Sequence, residues 1–311
     1  MKLVTFVHGG RERIGAKTSH GIIDLAAMVP ELNVPMEEFI RRSDSLLPIA
    51  KSVLAGDGTF PSGALFVEEN TVLRAPLPRP SSMRDGYAFR QHVETARKNR
   101  GLPMIPEFDL FPVFYFTNHQ AVIGPGELRV GRGRLDRLDF ELEIAVVVGR
   151  EVLNPTLEEA DRAIFGYTIM NDFSARALQM EEMKLNLGPA KGKDFATALG
   201  PYLVTADELA GRLTPTDRGN VFDSRMTAEV NGIQVSEGNA SDMNWTFAQI
   251  LQRAGDGVTL FPGDVIGSGT VGTGCFLELN GSKVTKDQWL RPGDRISLSA
   301  GGLGTLTNTI V

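Results

Sequence analysis

Hydrophobic and polar positions alternate along much of this chain at the two-residue period of a β-strand. The clearest case is Leu138–Arg150, LDFELEIAVVVGR. In a strand, Phe140, Leu142 and Ile144 share one face and Asp139, Glu141 and Glu143 share the other. Ala145–Gly149 is then almost wholly apolar and reads as a strand entering a core. Acidic side chains repeated on one face at the mouth of a buried strand require compensation by water, protons or a cation. Two readings stay open from this stretch alone. One is a solvated edge face; the other is a carboxylate pair holding one divalent metal, which needs a further oxygen ligand from elsewhere in the chain.

The same reading places the other elements. KLVTFV, RIGAKT and GIIDL within residues 1–29 are short strands. From Pro35 to about Leu54 the pattern turns helical, with Met36, Phe39, Ile40, Leu46, Leu47, Ile49 and Val53 inward and Gly56-Asp57-Gly58 as the stop. The prolines of Thr71–Met83 (TVLRAPLPRPSSM) mark a link, so a small N-terminal α/β domain over 1–70 is expected to precede a catalytic domain over 71–311. Tyr87–Arg100 predicts a helix with the apolar stripe Phe89, His92, Val93 and Ala96, and Glu94 and Lys98 are spaced for an i,i+4 pair. GLPMIPEFDLFP (101–112) predicts a semi-rigid loop that packs down, a candidate lid. Helices are expected near Leu157–Ala163, from Ser174 to about Met183, and over 245–255. Asn-Gly in TAEVNGIQVSEG (227–238) predicts a hairpin, and FLELNGSKVT (276–285), with a second Asn-Gly, reads as strand. The fold class expected is α+β and strand-dominated, without the regular strand–helix alternation of a doubly wound sheet.

Composition narrows the partners. With 311 residues, a formal net charge of −6 and a pI near 5.4, the chain is not suited to nucleic acid or an anionic membrane as its main partner. Cys275 is the single cysteine, so no internal disulfide forms and a reducing, cytoplasmic setting is expected. It is accompanied only by His8, His20, His92 and His119, too few for a Cys/His zinc cluster. No apolar run is long enough for a membrane span. Gly267–Gly272, GSGTVG, matches G-x-G-x-x-G, but FLELNG after it reads as strand where a dinucleotide site needs a helix, and the match is rejected. Neither a P-loop, nor H-E-x-x-H, nor a serine nucleophile elbow occurs.

The remaining chemistry is dispersed. Asp172 closes the apolar run IFGYTIMND; Arg176, Gln179 and Met183 follow at i, i+3 and i+7; Lys193 follows GPAK-type small residues; His92 and Glu278 sit on patterned segments. Each has an ordinary structural reading by itself. Together they supply carboxylates, an imidazole, an ammonium and a guanidinium, enough for metal-assisted water chemistry on a carbonyl.

Five motifs then occur in the order seen in the fumarylacetoacetate hydrolase family: DGYAFRQH (85–92), LDFELEIAVVVG (138–149), MNDFSARALQ (170–179), LGPAKGKDFAT (187–197) and GSGTVGTGCFLE (267–278). The resemblance covers most of 71–311, with spacing closest to the fumarylacetoacetase type. It implies a mixed β-roll, usually a homodimer, acting on a small keto acid. It implies Asp85, Glu141, Glu143 and Asp172 as ligands of Mg²⁺, with Mn²⁺ or Ca²⁺ as alternatives. His92 matches the general base, Glu278 its orienting partner, and Lys193, Arg176 and Gln179 the groups that meet substrate oxygens. Tyr87 and Thr270 match substrate-contact positions. The implied reaction is hydrolysis of a carbon–carbon bond in a β-diketo acid; the family also holds decarboxylases, isomerases and sugar-acid dehydratases. Two departures bear on the substrate: Met183 replaces a tyrosine, and Thr117-Asn118 stand where many members carry a lysine. Asp139 is expected outside the metal shell, and its replacement by Asn is expected to do far less than Glu143→Gln.

Overall fold

The computed structural model describes residues 1–56 and 59–311; Asp57 and Gly58, in the turn expected to end the first long helix, lie outside the described residues. A twelve-stranded mixed sheet forms the frame. Ten of its strands run in the order Leu65–Phe66, Gly21–Asp24, Arg11–Thr18, Lys2–His8, Thr197–Thr205, Ile164–Asp172, Glu143–Val148, Val265–Gly267, Met83–Gly86, Phe114–Phe116, and the other two branch off it, Val72–Leu73 on Lys2–His8 and Val122–Ile123 on Thr197–Thr205. A five-stranded sheet runs Ile233–Asn239, Arg225–Val230, Arg295–Ala300, Gly304–Ile310, Gly126–Leu128. Ile144, Val146, Val148, Tyr167 and Ile169 of the first share a core with Met226, Leu298 and Leu306 of the second. The architecture is α+β and strand-dominated, as the alternation predicts.

Local chemistry accounts for several elements. Asn231 and Gly232 both adopt positive φ, 55° and 79°, which is the two-residue turn that joins Arg225–Val230 to Ile233–Asn239. Thr246 and Gln249 form a capping box at the start of the Phe247–Ala254 helix. The helix expected over 87–100 spans Arg90–Lys98, and Glu94 pairs with Arg90 at 2.8 Å in place of Lys98. Ser174–Ala175 is a short strand against Leu138–Asp139, and the helix after it starts at Arg176.

Phe276–Gly281 is a helix, not the strand read from its sequence. The reason is distant in the chain: the Asp139 carboxylate accepts from the Phe276 and Leu277 N–H groups at 2.8 and 3.0 Å, capping the helix from outside. A helix therefore does follow Gly267–Gly272, and the ground on which the dinucleotide match was rejected does not hold. The loop nonetheless faces carboxylate, not phosphate: Gly269 N–H donates to Asp85 Oδ1 at 3.1 Å.

The first seventy residues share both sheet and core with the rest. Lys2 and Leu3 pair with Val204 and Leu203, and Leu3, Met36, Phe39 and Ile40 pack with Val147, Phe165, Leu199 and Leu203. Phe39 meets Phe165 edge-on at 6.5 Å between ring centroids. Phe39→Ala should cost about 3–5 kcal/mol. Because the core is shared, denaturation followed by far-UV circular dichroism and by fluorescence of Trp245 and Trp289 should give coincident transitions; a separate early transition would show that residues 1–70 unfold by themselves.

Candidate active site

Strand pairing brings the acidic residues to one end of the large sheet. Glu143 opens its strand opposite Met170; Asp172 closes the antiparallel neighbour opposite Thr197; Asp85 lies beside Gly267 on a parallel pair. Between Asp139 and Glu143 the chain leaves the ladder, and other groups take over its N–H bonds: Asn171 Oδ1 accepts from Glu141 N–H at 3.0 Å, and Gly274 O from Leu142 N–H at 2.9 Å. Both faces of this stretch are buried, with Asp139, Glu141 and Glu143 at 0%, 5% and 0% exposure, so the solvated-edge reading does not apply.

One carboxylate oxygen each from Asp85, Glu141 and Glu143 lie within 4.8 Å of one another. Asp172 adjoins this trio through Lys193, whose Nζ donates to Glu141 Oε2 at 2.5 Å and to Asp172 Oδ2 at 2.8 Å. Tyr115 O–H also donates to Asp172, and Thr197 Oγ1 lies 3.4 Å from it. Arg176 spans two acids, Nε to Asp139 Oδ2 and Nη2 to Glu141 Oε1, both at 2.8 Å, and its Nη1 donates to Gln179 Oε1 at 2.9 Å. Thr270 Oγ1 sits 3.3 Å from Glu143 Oε1. His92 Nδ1 meets Glu278 Oε2 at 2.6 Å inside the protein, and the Tyr87 ring packs edge-on against His92 with centroids 5.7 Å apart. The loop 101–112 sets buried Phe108 against Tyr87 at 6.4 Å.

Electrostatics sort these acids. Burial pushes Asp85 up to about 8, helped by Asp172. Glu143 is pushed well up by burial and then by Asp85 and Glu141. Burial also leads the rise of Asp172, which Lys193 opposes. Glu141 goes the other way: burial would raise it, but Lys193 and then Arg176 outweigh burial and hold it below the usual carboxylate range. Glu143 Oε2 is buried with no hydrogen-bond partner among the described residues. An orphaned oxygen among three converging carboxylates, all of them hard donors, fits a divalent ion of the Mg²⁺, Mn²⁺ or Ca²⁺ type.

The geometry also assigns roles to residues that the sequence patterns left unmarked. Tyr115 was unmarked because its link to Asp172 crosses the sheet. Asp139 accepts from Arg176, Phe276, Leu277 and its neighbour Phe140, so it is a structural joint and not a bystander. Glu182 accepts from the Lys191 and Gly192 N–H groups at 2.7 and 3.1 Å, fixing the loop that delivers Lys193. Of the two departures, Met183 is 40% exposed at the end of the Arg176–Glu182 helix. Asn118 donates to Asp194 O at 2.9 Å beside Lys193, and the buried Thr117 hydroxyl has no hydrogen-bond partner among the described residues.

A strand-dominated frame that gathers buried carboxylates, Lys193, Arg176 and a His92–Glu278 pair has the make-up of an enzyme site. The profile of the fumarylacetoacetate (FAA) hydrolase C-terminal domain matches residues 81–311, and the chain belongs to the fumarylacetoacetate hydrolase family. It is 28% identical over 282 residues to oxaloacetate tautomerase YisK of Bacillus subtilis, covering 88% of this chain and 83% of that protein. Among solved structures it resembles the fumarylacetoacetate hydrolase of Exiguobacterium antarcticum, with a TM-score of 0.74, 26% identity and coverage of 100% and 99% of the two chains. A maleylpyruvate hydrolase from Sphingobium sp. SYK-6, solved with manganese(II) and pyruvate, shares the fold at a TM-score of 0.70 and 21% identity, over 100% of this chain and 99% of that one. Among the described residues, no helix is long and apolar enough to cross a membrane.

The charge arrangement sets how the site responds to pH and to substitution. Without an ion, burial and then the Asp172 charge raise Asp85 to about 8, and burial raises Glu143 in the same direction, so cation binding should expel a proton from Asp85 at neutral pH and affinity should rise with pH toward about 8. Calorimetric titration with Mn²⁺ in buffers of different protonation enthalpy should report net proton release; buffer-independent heats would refute it. Glu143→Gln should weaken Mn²⁺ binding by at least about a hundredfold. Asp139→Asn should retain the ion yet lose about 3 kcal/mol of stability, since it leaves Arg176 half-compensated in the interior. Asp139→Asn thus spares ion binding, as expected of a residue outside the metal shell, but adds a stability cost that denaturant midpoints of the wild type and the variant decide.

Proposed function

We propose that this protein is a divalent-metal-dependent hydrolase that cleaves a carbon–carbon bond in a β-diketo acid of fumarylacetoacetate or acylpyruvate type. The buried His92–Glu278 pair carries this reading. With Nδ1 facing Glu278, the imidazole is held in one tautomer and its other nitrogen is left to accept a proton. Asp85, Glu141, Glu143 and Asp172 would hold the ion, Mg²⁺ by preference, which when bound polarises the keto-acid oxygens.

His92 takes a proton from water, and the hydroxide adds to the carbonyl distal to the keto-acid end. Lys193 and Arg176, the permanent cations among these carboxylates, supply positive charge for the oxyanion. Collapse breaks the carbon–carbon bond. Its electron pair stays on the carbon next to the remaining carbonyl, and that carbon takes its proton from the imidazolium. Tyr87 packs on His92 and is backed by Phe108, and Gln179 and Thr270 are assigned to polar substrate atoms in this reading.

A second reading is keto–enol tautomerisation of an oxaloacetate-like acid, favoured by the tautomerase relative. There His92 shuttles a proton between carbon and oxygen and no water is consumed. Decarboxylation, isomerisation or dehydration of a sugar acid would use the same carboxylates.

Turnover of acylpyruvates and of oxaloacetate in ¹⁸O-labelled water separates the readings. Hydrolysis places solvent oxygen in a new carboxylate; tautomerisation gives solvent hydrogen exchange at carbon alone. His92→Ala should lower kcat by about 10²–10⁴ while leaving Mn²⁺ binding intact. Full activity in that variant would sink the assignment of the base.

A further inference from the structure

We propose that His92, Cys275 and Glu278 form a second metal site, suited to a borderline-soft ion such as Zn²⁺, and that its occupation silences the enzyme by engaging the catalytic imidazole. One imidazole nitrogen, the thiol sulfur and one carboxylate oxygen all lie within 4.8 Å of one another. All three residues are buried, at 8%, 0% and 3% exposure. Cys275 immediately precedes the Phe276–Gly281 helix and Glu278 is its third residue, so a C-x-x-E spacing brings both to His92 on the Arg90–Lys98 helix. Asn99 Nδ2 donates to Glu278 O at 3.3 Å and ties the two helices together.

The donor set decides the ion. The Asp85, Glu141 and Glu143 cluster offers oxygen alone and suits hard cations, whereas nitrogen, sulfur and oxygen together are a zinc set. Cysteine and histidine counts excluded a site built from those two types; here the carboxylate is the third donor. Zinc bonds of about 2.0–2.3 Å in a tetrahedron separate ligand atoms by roughly 3.3–3.8 Å. The His92–Glu278 contact of 2.6 Å would therefore open by about an ångström, and the fourth position would stay free for water. The thiol gives up its proton to solvent as the zinc–thiolate bond forms. Asp139 and Glu141 lie near enough to offset the added charge, and Arg176 opposes it.

Binding is read without turnover, so its outcome stands apart from the proposed hydrolysis; only the silencing rests on His92 as base. Full-length protein saturated with Mg²⁺ is titrated with Zn²⁺ against a chromophoric chelator, and separately with Co²⁺ as an optical probe. The expected result is one zinc bound with Mg²⁺ retained, a thiolate-to-cobalt charge-transfer band, and loss of activity in parallel. Cys275→Ser should remove the band, weaken zinc binding by more than about a hundredfold and keep turnover that zinc no longer suppresses. His92→Gln should weaken zinc binding similarly, which keeps the test open if the serine variant does not fold. Displacement of Mg²⁺ by zinc one for one, absence of the band, or wild-type zinc affinity in either variant would overturn the proposal.

Discussion

An excess of buried negative charge governs this protein. Asp85, Asp139, Glu141, Glu143, Asp172 and Glu278 are each no more than 5% exposed, and Arg176 and Lys193 are the permanent cations bonded among them. Removing a carboxylate from water costs several kcal/mol even after relaxation. Arg176 offsets Asp139 and Glu141, and Lys193 offsets Glu141 and Asp172. What remains uncompensated is Asp85 and Glu143, the two whose carboxyls burial raises most clearly and one of which keeps an orphaned oxygen. The fold thus leaves one unit of chemistry open, and only protons or a cation can fill it.

The frame that tolerates this imbalance is held by the same ions. Asp139 joins the strand end at Leu138–Asp139, the Arg176–Glu182 helix through the guanidinium, and the Phe276–Gly281 helix through two backbone N–H groups. The last of these helices carries Glu278, and Glu278 holds His92. A carboxylate outside the Asp85–Glu141–Glu143 trio therefore sets the position of His92. Breaking it disturbs two arms of the site at once, which is why its replacement is costly even though it lies outside the trio.

Features carried by neighbouring residues were legible in the sequence. Asn231-Gly232 between alternating runs gave a hairpin because both residues tolerate positive φ, and the apolar stripe of Phe247–Ala254 gave a helix because its cap lies in the same segment. Features decided across the chain were not. Phe276–Gly281 reads as a strand until Asp139, far upstream, caps it. Glu94 had cations on both sides, and spacing could not choose Arg90 over Lys98. The face bearing Asp139, Glu141 and Glu143 could not be told from a solvated edge until its partners appeared, since burial is a property of what packs against it. Tyr115 carries no pattern of its own and meets Asp172 only through folding.

The division between rigid frame and variable loops also bears on which reaction runs. Asp85, Glu143 and Asp172 sit on paired strands, whose register cannot shift by one residue without turning each side chain to the opposite face. The carboxylates proposed to hold the ion are therefore fixed in place by the sheet itself. Met183, Thr117 and the 101–112 segment lie on loops or helix ends, where replacement alters contacts without moving the carboxylates. In the proposed readings, hydrolysis and tautomerisation part first at whether His92 would take its proton from water or from carbon. That choice would then rest on the packing around the imidazole, where Tyr87 lies edge-on against His92 and Phe108 backs Tyr87. A family can change its reaction by changing those loops, because the strand-borne part of the site is the same for both.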